Sequence, residues 1–241
     1  MRSSSVTTRN SRVTLPSDLA PELQALDRRF VLARVSVSVC GGEVTLQTPR
    51  SADELINEID FERDERLPYW ADIWPSSTAL ASVVSELDGQ GKRALELGCG
   101  LGLVTISALR AGFDVVATDY YEDALLFARR NGLSVAGREP RTRHVDWREF
   151  PSDLGRFDLV LASDVLYERE YATLVADAIV ASLAPGGVAL VADPGRVALL
   201  SFVTACEQRG CTVGIRARVP WTDGTAKQTI TIHEITSPHR A

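Results

Sequence analysis

The run LASDVLYERE (residues 161–170) ends an apolar stretch, Phe157 to Ala162, in Ser163 and Asp164, with Tyr167 three residues further on. A carboxylate and a phenol at a strand end form a group suited to hydrogen-bonding a ligand. On a continuous strand the two would face opposite sides, so the pairing predicts a turn after Asp164. The same pattern also fits a strand leaving the core into an ordinary loop. Three other stretches carry residues of similar promise. ALELGCGLGL puts Glu96, Gly98, Cys99, Gly100 and Gly102 at the end of another apolar run, where glycine lets the main chain turn tightly and approach a ligand. Asp119, followed by Tyr120, closes FDVVATD about 20 residues later, where an acid can take both hydroxyls of a ribose through its two oxygens. HVDWRE sets Asp146 beside Trp147, either as ligand contacts or as an N-cap next to a core ring. Tyr69, Trp70 and Trp74 crowd six positions ahead of Pro75, which suits the first turn of a helix. They either wall a site or anchor the N-terminal segment to the sheet.

The elements that must position these groups follow from apolar periodicity. From Lys92 onward strand-like and helix-like runs alternate: RALELG, FDVVATD, PRTRHVD, FDLVLASD and VALVAD are strands, each followed by a helical run or a turn, including ProGlyGly at 185–187. Two β-like runs, CTVGIRARV and AKQTITIHEI, close the chain after a helix at 196–209. Alternating βα units predict a Rossmann-like, doubly wound seven-stranded sheet, mostly parallel with an antiparallel edge strand. Ligands of such sheets bind beyond the carboxyl ends of the strands, near the switch point. Ahead of it, residues 1–16 read as a flexible polar tail. Residues 17–67 read as a helical and β-hairpin extension: Ser17 as N-cap of a helix over 18–29, a hairpin over 30–48 turning at Cys40–Gly42, and an acidic helix over 51–66. Residues 68–241 are then the main domain.

Bulk composition narrows the classes. With 45% hydrophobic and 24% charged residues and a net charge of -6, the chain has the balance of a globular domain and lacks the basic excess of a nucleic-acid footprint. Four cysteines without CxxC spacing and three scattered histidines point away from zinc and from a disulfide framework. No apolar segment approaches membrane-spanning length and no signal-peptide core is visible, so the expectation is a cytoplasmic protein with no membrane, metal or nucleic-acid partner.

The glycine loop does not fit G-x-G-x-x-G: the frame from Gly98 ends on Leu103 and that from Gly100 on Thr105, which disfavours a nicotinamide enzyme. Its E-x-G-x-G-x-G form resembles class I S-adenosylmethionine-dependent methyltransferases. PYWADIWP, ELGCGLG, DVLYERE and ADPGR (192–196) together resemble the protein lysine methyltransferase subgroup, including the electron-transfer-flavoprotein β-subunit lysine methyltransferase and its bacterial relatives, over about residues 68–196. The resemblance implies S-adenosylmethionine held by Trp70, Trp74, Glu96, Gly98, Cys99, Gly100, Gly102, Asp119, Tyr120, Asp146, Trp147 and Ser163. Asp146 would accept from the adenine amino group. Asp164 and Tyr167 would hold a lysine amine of a protein partner. Glu168 and Arg169 depart from the more acidic stretch of those relatives, and the hairpin carries no motif that names a target. A small-molecule methyltransferase with the same cofactor half is the alternative, and a catalytically silent scaffold a third reading.

Overall fold

A computed structural model describes residues 20–40, 42–51, 55, 68–224 and 226–237. The polar tail, Ser17 and nearly all of the acidic 51–66 segment lie outside the described residues. The first helix, α1 (Pro21–Arg29), starts with proline at its first position and Ala20 as its cap. Ser17 is thus too far upstream to cap it. Proline presets helical φ where no N–H partner is needed.

Two antiparallel strands follow, β1 (Leu32–Val39) and β2 (Gly42–Pro49), in register from Leu32 opposite Pro49 to Val39 opposite Gly42. After a single 3-10 turn at Tyr69–Ala71, α2 (Pro75–Val84) leads to the sheet. The sheet and its helices then alternate: β3 (Arg93–Leu97), α3 (Leu103–Arg110), β4 (Asp114–Asp119), α4 (Glu122–Ala136), β5 (Arg141–His144), β6 (Phe157–Ser163), α5 (Tyr171–Ser182), β7 (Leu183–Asp193), α6 (Leu199–Gln208), β8 (Thr212–Asp223) and β9 (Ala226–Thr236). The seven-stranded order is β5-β4-β3-β6-β7-β9-β8. Strand β9 pairs antiparallel to both β7 and β8, which makes that end of the sheet antiparallel. ProGlyGly is no separate turn: β7 runs through it as an irregularity, with Phe157 opposite Leu183 and Leu159 opposite Val188.

The strand order places the site. The chain leaves β3 toward β4 and β5, then returns to lay β6 on the other side of β3, with Glu96 opposite Leu161 and Leu97 opposite Ala162. The loops after β3 and β6 therefore emerge side by side at the switch point. One sheet face packs α2, α3 and α4 through Leu80, Ile106 and Phe127; the other packs α5 and α6 through Ile179 and Phe202. Burying each such side chain contributes about 1.5–3 kcal/mol.

The hairpin shares the first of these cores, contributing Val37, Val44 and Leu46. Asn131 of α4 fastens it as a stand-in peptide group. Its Oδ1 accepts the Gln47 N–H at 2.8 Å, and its Nδ2 donates to the carbonyls of Gln47 at 2.9 Å and Leu101 at 3.0 Å. The last contact ties the hairpin to the glycine loop itself.

Candidate functional site

Trp70, Trp74, Glu96, Gly98, Cys99, Gly100, Asp119, Tyr120, Asp146, Trp147, Ser163, Asp164 and Tyr167 all border one cavity of about 430 Å³ at the carboxyl ends of β3, β4, β5 and β6. Gly102 does not. It caps α3 in a left-handed conformation, φ 84°, and a Cβ there would lie 2.8 Å from the Ala128 Cα. Its job is close packing of α3 on α4. A loop pattern cannot distinguish approach to a ligand from approach to a helix.

The floor of the cavity is acidic and buried. Glu96 is 1% exposed, and its Oε2 accepts the Thr105 hydroxyl. Burial, opposed by that hydrogen bond, pushes its carboxyl up to about 8. Asp119 is also buried and raised by desolvation, while the N–H groups of Tyr121 and Gly100 hold it down, at 3.0 and 2.9 Å. Gly98 and Gly100 have φ of 69° and 50°. A Cβ on Gly100 would meet the Trp70 carbonyl oxygen at 3.0 Å, and one on Gly98 would meet Val165 at 3.2 Å. The two glycines thus let the loop run between the Trp70 turn and the β6 exit.

Asp146 lines the cavity, but its carboxylate is engaged locally. It caps the turn Trp147–Glu149 by accepting the Arg148 N–H at 2.9 Å and pairs with the Arg148 guanidinium at 2.8 Å. The N-cap role and the cavity position coexist, and an incoming donor would share an occupied carboxylate.

The rest of the lining is largely aromatic. Trp74, Tyr69, Tyr167, Tyr171 and Trp147 follow one another edge to face, with successive ring centroids 5.8, 5.4, 5.1 and 5.3 Å apart. The Trp74 indole N–H donates to the Tyr69 carbonyl at 2.9 Å. Trp70 also serves the core, 5.6 Å from the Phe127 ring, so wall and anchor are both its roles. The Tyr167 hydroxyl is raised above its usual value, by burial first and then by Tyr171; it stays a neutral donor.

Asp164 stands where this wall meets the switch point. The expected turn is a bend made by Asp164 itself, φ 59°, the one non-glycine residue with positive φ among those described. Its N–H donates to the Ala192 carbonyl at 3.0 Å. Its Oδ2 accepts the Ser76 hydroxyl at 2.9 Å and its Oδ1 accepts Arg196 Nε at 2.6 Å. Sequence reasoning missed Ser76 and Tyr171, named Tyr69 as wall or anchor without a site role of its own, and noted the stretch holding Arg196 without giving that residue a role. Among the described residues no group of three His, Cys, Asp or Glu side chains gathers to hold a metal, and no helix is long and apolar enough to cross a membrane.

Residues 77–205, more than half of the chain, match the family model described as "Methyltransferase domain". The electron transfer flavoprotein beta subunit lysine methyltransferase of Xenopus laevis is 30% identical over 134 residues, 54% of this chain and 53% of that protein. The ubiquinone biosynthesis O-methyltransferase of Bordetella avium is 34% identical over 107 residues, 43% of this chain and 44% of that protein. The chain thus spans about half the length of the curated relatives it matches. The N-methyltransferase NodS of Bradyrhizobium japonicum, solved with S-adenosyl-L-homocysteine, superposes with a TM-score of 0.55 at 19% identity, covering 77% of this chain and 95% of that one. That likeness establishes the fold.

Proposed function

The chain belongs to the methyltransferase-domain family, and from that premise we propose that it is an S-adenosylmethionine-dependent methyltransferase whose acceptor is a lysine side chain of a protein. One observation carries the reading: two buried carboxylates and two positive-φ glycines form one side of a cavity whose other side is Asp164 and an aromatic wall.

The residues fit the cofactor's chemistry. Glu96 suits its ammonium, Asp119 its ribose hydroxyls, and the bare main chain at Gly98–Gly100 its close passage. Tyr120, Asp146 and Trp147 would hold the adenine, and Cys99 and Ser163, which line the same cavity, would border the rest of the cofactor. When bound, the cofactor supplies a methyl on sulfonium, which passes to an acceptor lone pair as the C–S bond breaks and its electrons stay on sulfur. The protein's part is then orientation and exclusion of water. Asp164 accepts an N–H of the acceptor amine and so turns its lone pair toward the cofactor side. Tyr167 and Tyr69 flank the amine's stem with their rings.

The lysine acceptor is favoured by the Xenopus relative, a lysine methyltransferase 30% identical over 134 residues. The Bordetella relative favours a small-molecule acceptor in the same fold, since acceptors change with loops and additions. Incubating the protein and tritiated cofactor with cell lysate, followed by separation by size, decides between them. Label in a protein band that maps to lysine supports the proposal; label in the small-molecule fraction alone rejects it. Thermal stabilisation by S-adenosylhomocysteine and not by NAD tests the cofactor half separately.

A further inference from the structure

Asp164 is held in a neutral pair. Its side chain is 4% exposed against 35% for Arg196, whose Nε donates to it at 2.6 Å. Arg196 is itself fixed. The turn after β7 closes on Asp193, whose Oδ1 accepts the N–H groups of Gly195 at 2.6 Å and Arg196 at 2.7 Å. Ala198 N–H donates to the Leu166 carbonyl at 3.3 Å, stitching this turn to the Asp164 bend. The guanidinium lies over Trp74, 5.4 Å from the ring centroid. Resting on the reading that Asp164 receives the acceptor amine, we infer that Arg196 is a positioning residue that cancels the charge of Asp164, so the site takes a lysine side chain as its free amine and turns away the ammonium.

The physical need is direct. At pH 7.4 about one lysine in a thousand is neutral, and only that form has a lone pair to give. A lone carboxylate worsens the odds: two unit charges 4 Å apart at an effective dielectric of 20 favour the ammonium by a further factor of about a thousand. With the guanidinium already on Oδ1, an ammonium meets an ion pair of little net charge and gains little. A free amine loses nothing, because each carboxylate oxygen keeps a second lone pair to accept one N–H. The proton goes from the ammonium to water before binding, so the transfer step needs no base.

The neighbouring groups do not restore a cation site. Ser76 is neutral, and burial keeps the Tyr167 hydroxyl protonated. Asp193 already accepts two main-chain N–H groups through one oxygen, and burial pushes its carboxyl up from the usual range. Asp72 and Glu168 are exposed at the rim, where water and salt screen them. Across the cavity, Glu96 is raised to about 8 without ligand and would be offset by the cofactor's own ammonium once it is bound, and Asp119 accepts the Gly100 and Tyr121 N–H groups.

The test uses n-butylamine as the lysine side-chain probe, titrated into the full chain saturated with S-adenosylhomocysteine and followed by tryptophan fluorescence. In the wild type its apparent affinity should rise about tenfold per pH unit between pH 7 and 9.5, tracking the free base. Arg196→Gln should bind the ammonium instead, about 100-fold or more tightly than wild type at pH 7.5 and with little pH dependence. Arg196→Lys, which keeps the charge, should restore the wild-type slope. A flat wild-type profile, or an Arg196→Gln profile with the wild-type slope, overturns the inference. Should the glutamine variant not fold, the wild-type slope alone decides. Failure of S-adenosylhomocysteine to bind, or absence of a labelled lysine in lysate, would instead sink the proposed function.

Discussion

Binding of S-adenosylhomocysteine should release protons at neutral pH, and the number can be worked from the position of one side chain. Glu96 is buried beneath the glycine loop with its carboxyl raised to about 8. Free protein at pH 7 therefore carries that proton on about 0.9 of its molecules. If the ligand's ammonium sits against Glu96, the carboxyl ionises on binding and the proton leaves. The ligand's own amine, with a pKa near 8, is about 0.9 charged at pH 7 and takes up about 0.1 proton to complete the pair. The net release is about 0.8 proton at pH 7 and about 1 at pH 6, and it reverses to an uptake of about 0.8 at pH 9. Affinity should fall about eightfold from pH 7 to pH 6: displacing the proton costs about 1.4 kcal/mol at the higher pH and about 2.7 at the lower, and the fuller charging of the ligand's amine returns a little. Calorimetric titrations in phosphate and Tris at each pH give the proton count from the difference in observed enthalpy. Glu96→Gln should show no release at pH 6 or 7. Release below about 0.2 proton at pH 7 in the wild type, or equal release in the variant, would refute the ammonium–Glu96 pairing.

The same glutamate sets an expectation for stability without ligand. Its folded-state carboxyl is raised above the unfolded value of 4.5, so it weakens the fold increasingly as pH climbs from about 4.5 to 8 and no further above that, at about 1.4 kcal/mol per unit. Glu96→Gln should therefore melt above wild type at pH 8, with the gap closing toward pH 5; a gap independent of pH counts against the raised carboxyl. Asp164→Ala should bind S-adenosylhomocysteine within about threefold of wild type while turnover drops about 100-fold or more, and normal turnover would remove Asp164 from its assigned role. Gly100→Val needs φ near 50° and space already filled by the Trp70 carbonyl; it should lose both cofactor binding and turnover, checked by thermal shift with ligand. Asn131→Ala leaves the Gln47 and Leu101 main-chain groups without partners and should cost about 1–3 kcal/mol in denaturant unfolding.

What the sequence made legible was periodic or local. Apolar runs of strand length carrying Glu96, Asp119 and Asp164 at or near their ends marked three strand ends, and the polar run before Asp146 a weaker fourth; one sheet topology brings four such ends to one rim. The N-cap role of Asp146 was also readable, since an acid just before a turn commonly accepts an N–H two residues on, but its pairing with the Arg148 guanidinium was not. What stayed hidden was non-local. Ser76 and Arg196 reach Asp164 from 88 and 32 residues away, and no propensity or spacing pairs them. Tyr69 and Tyr171 join Tyr167 only because the Trp70 turn and α5 frame the same opening. The hairpin was legible as a hairpin, yet its fusion to the main core through Asn131 was not, because a buried asparagine in a helical pattern carries no sign of its partner.

The conformation of Asp164 bears on whether this cluster is structural or functional. A left-handed residue at the end of β6 would be filled with least strain by glycine, and an aspartate there costs of the order of 1 kcal/mol. Stability alone would not keep a carboxylate there, because a buried ion pair gains little over a well-packed apolar replacement. Three separate elements nevertheless converge on it: α2 through Ser76, β7 through Ala192, and the following turn through Arg196. The strain turns the chain off the strand direction at Asp164, which lines the cavity. Strained polar residues over-determined by their surroundings cluster at ligand sites. The same pairing that makes Asp164 a poor stabiliser makes it a suitable acceptor for an uncharged amine, with Arg196 holding its charge in check.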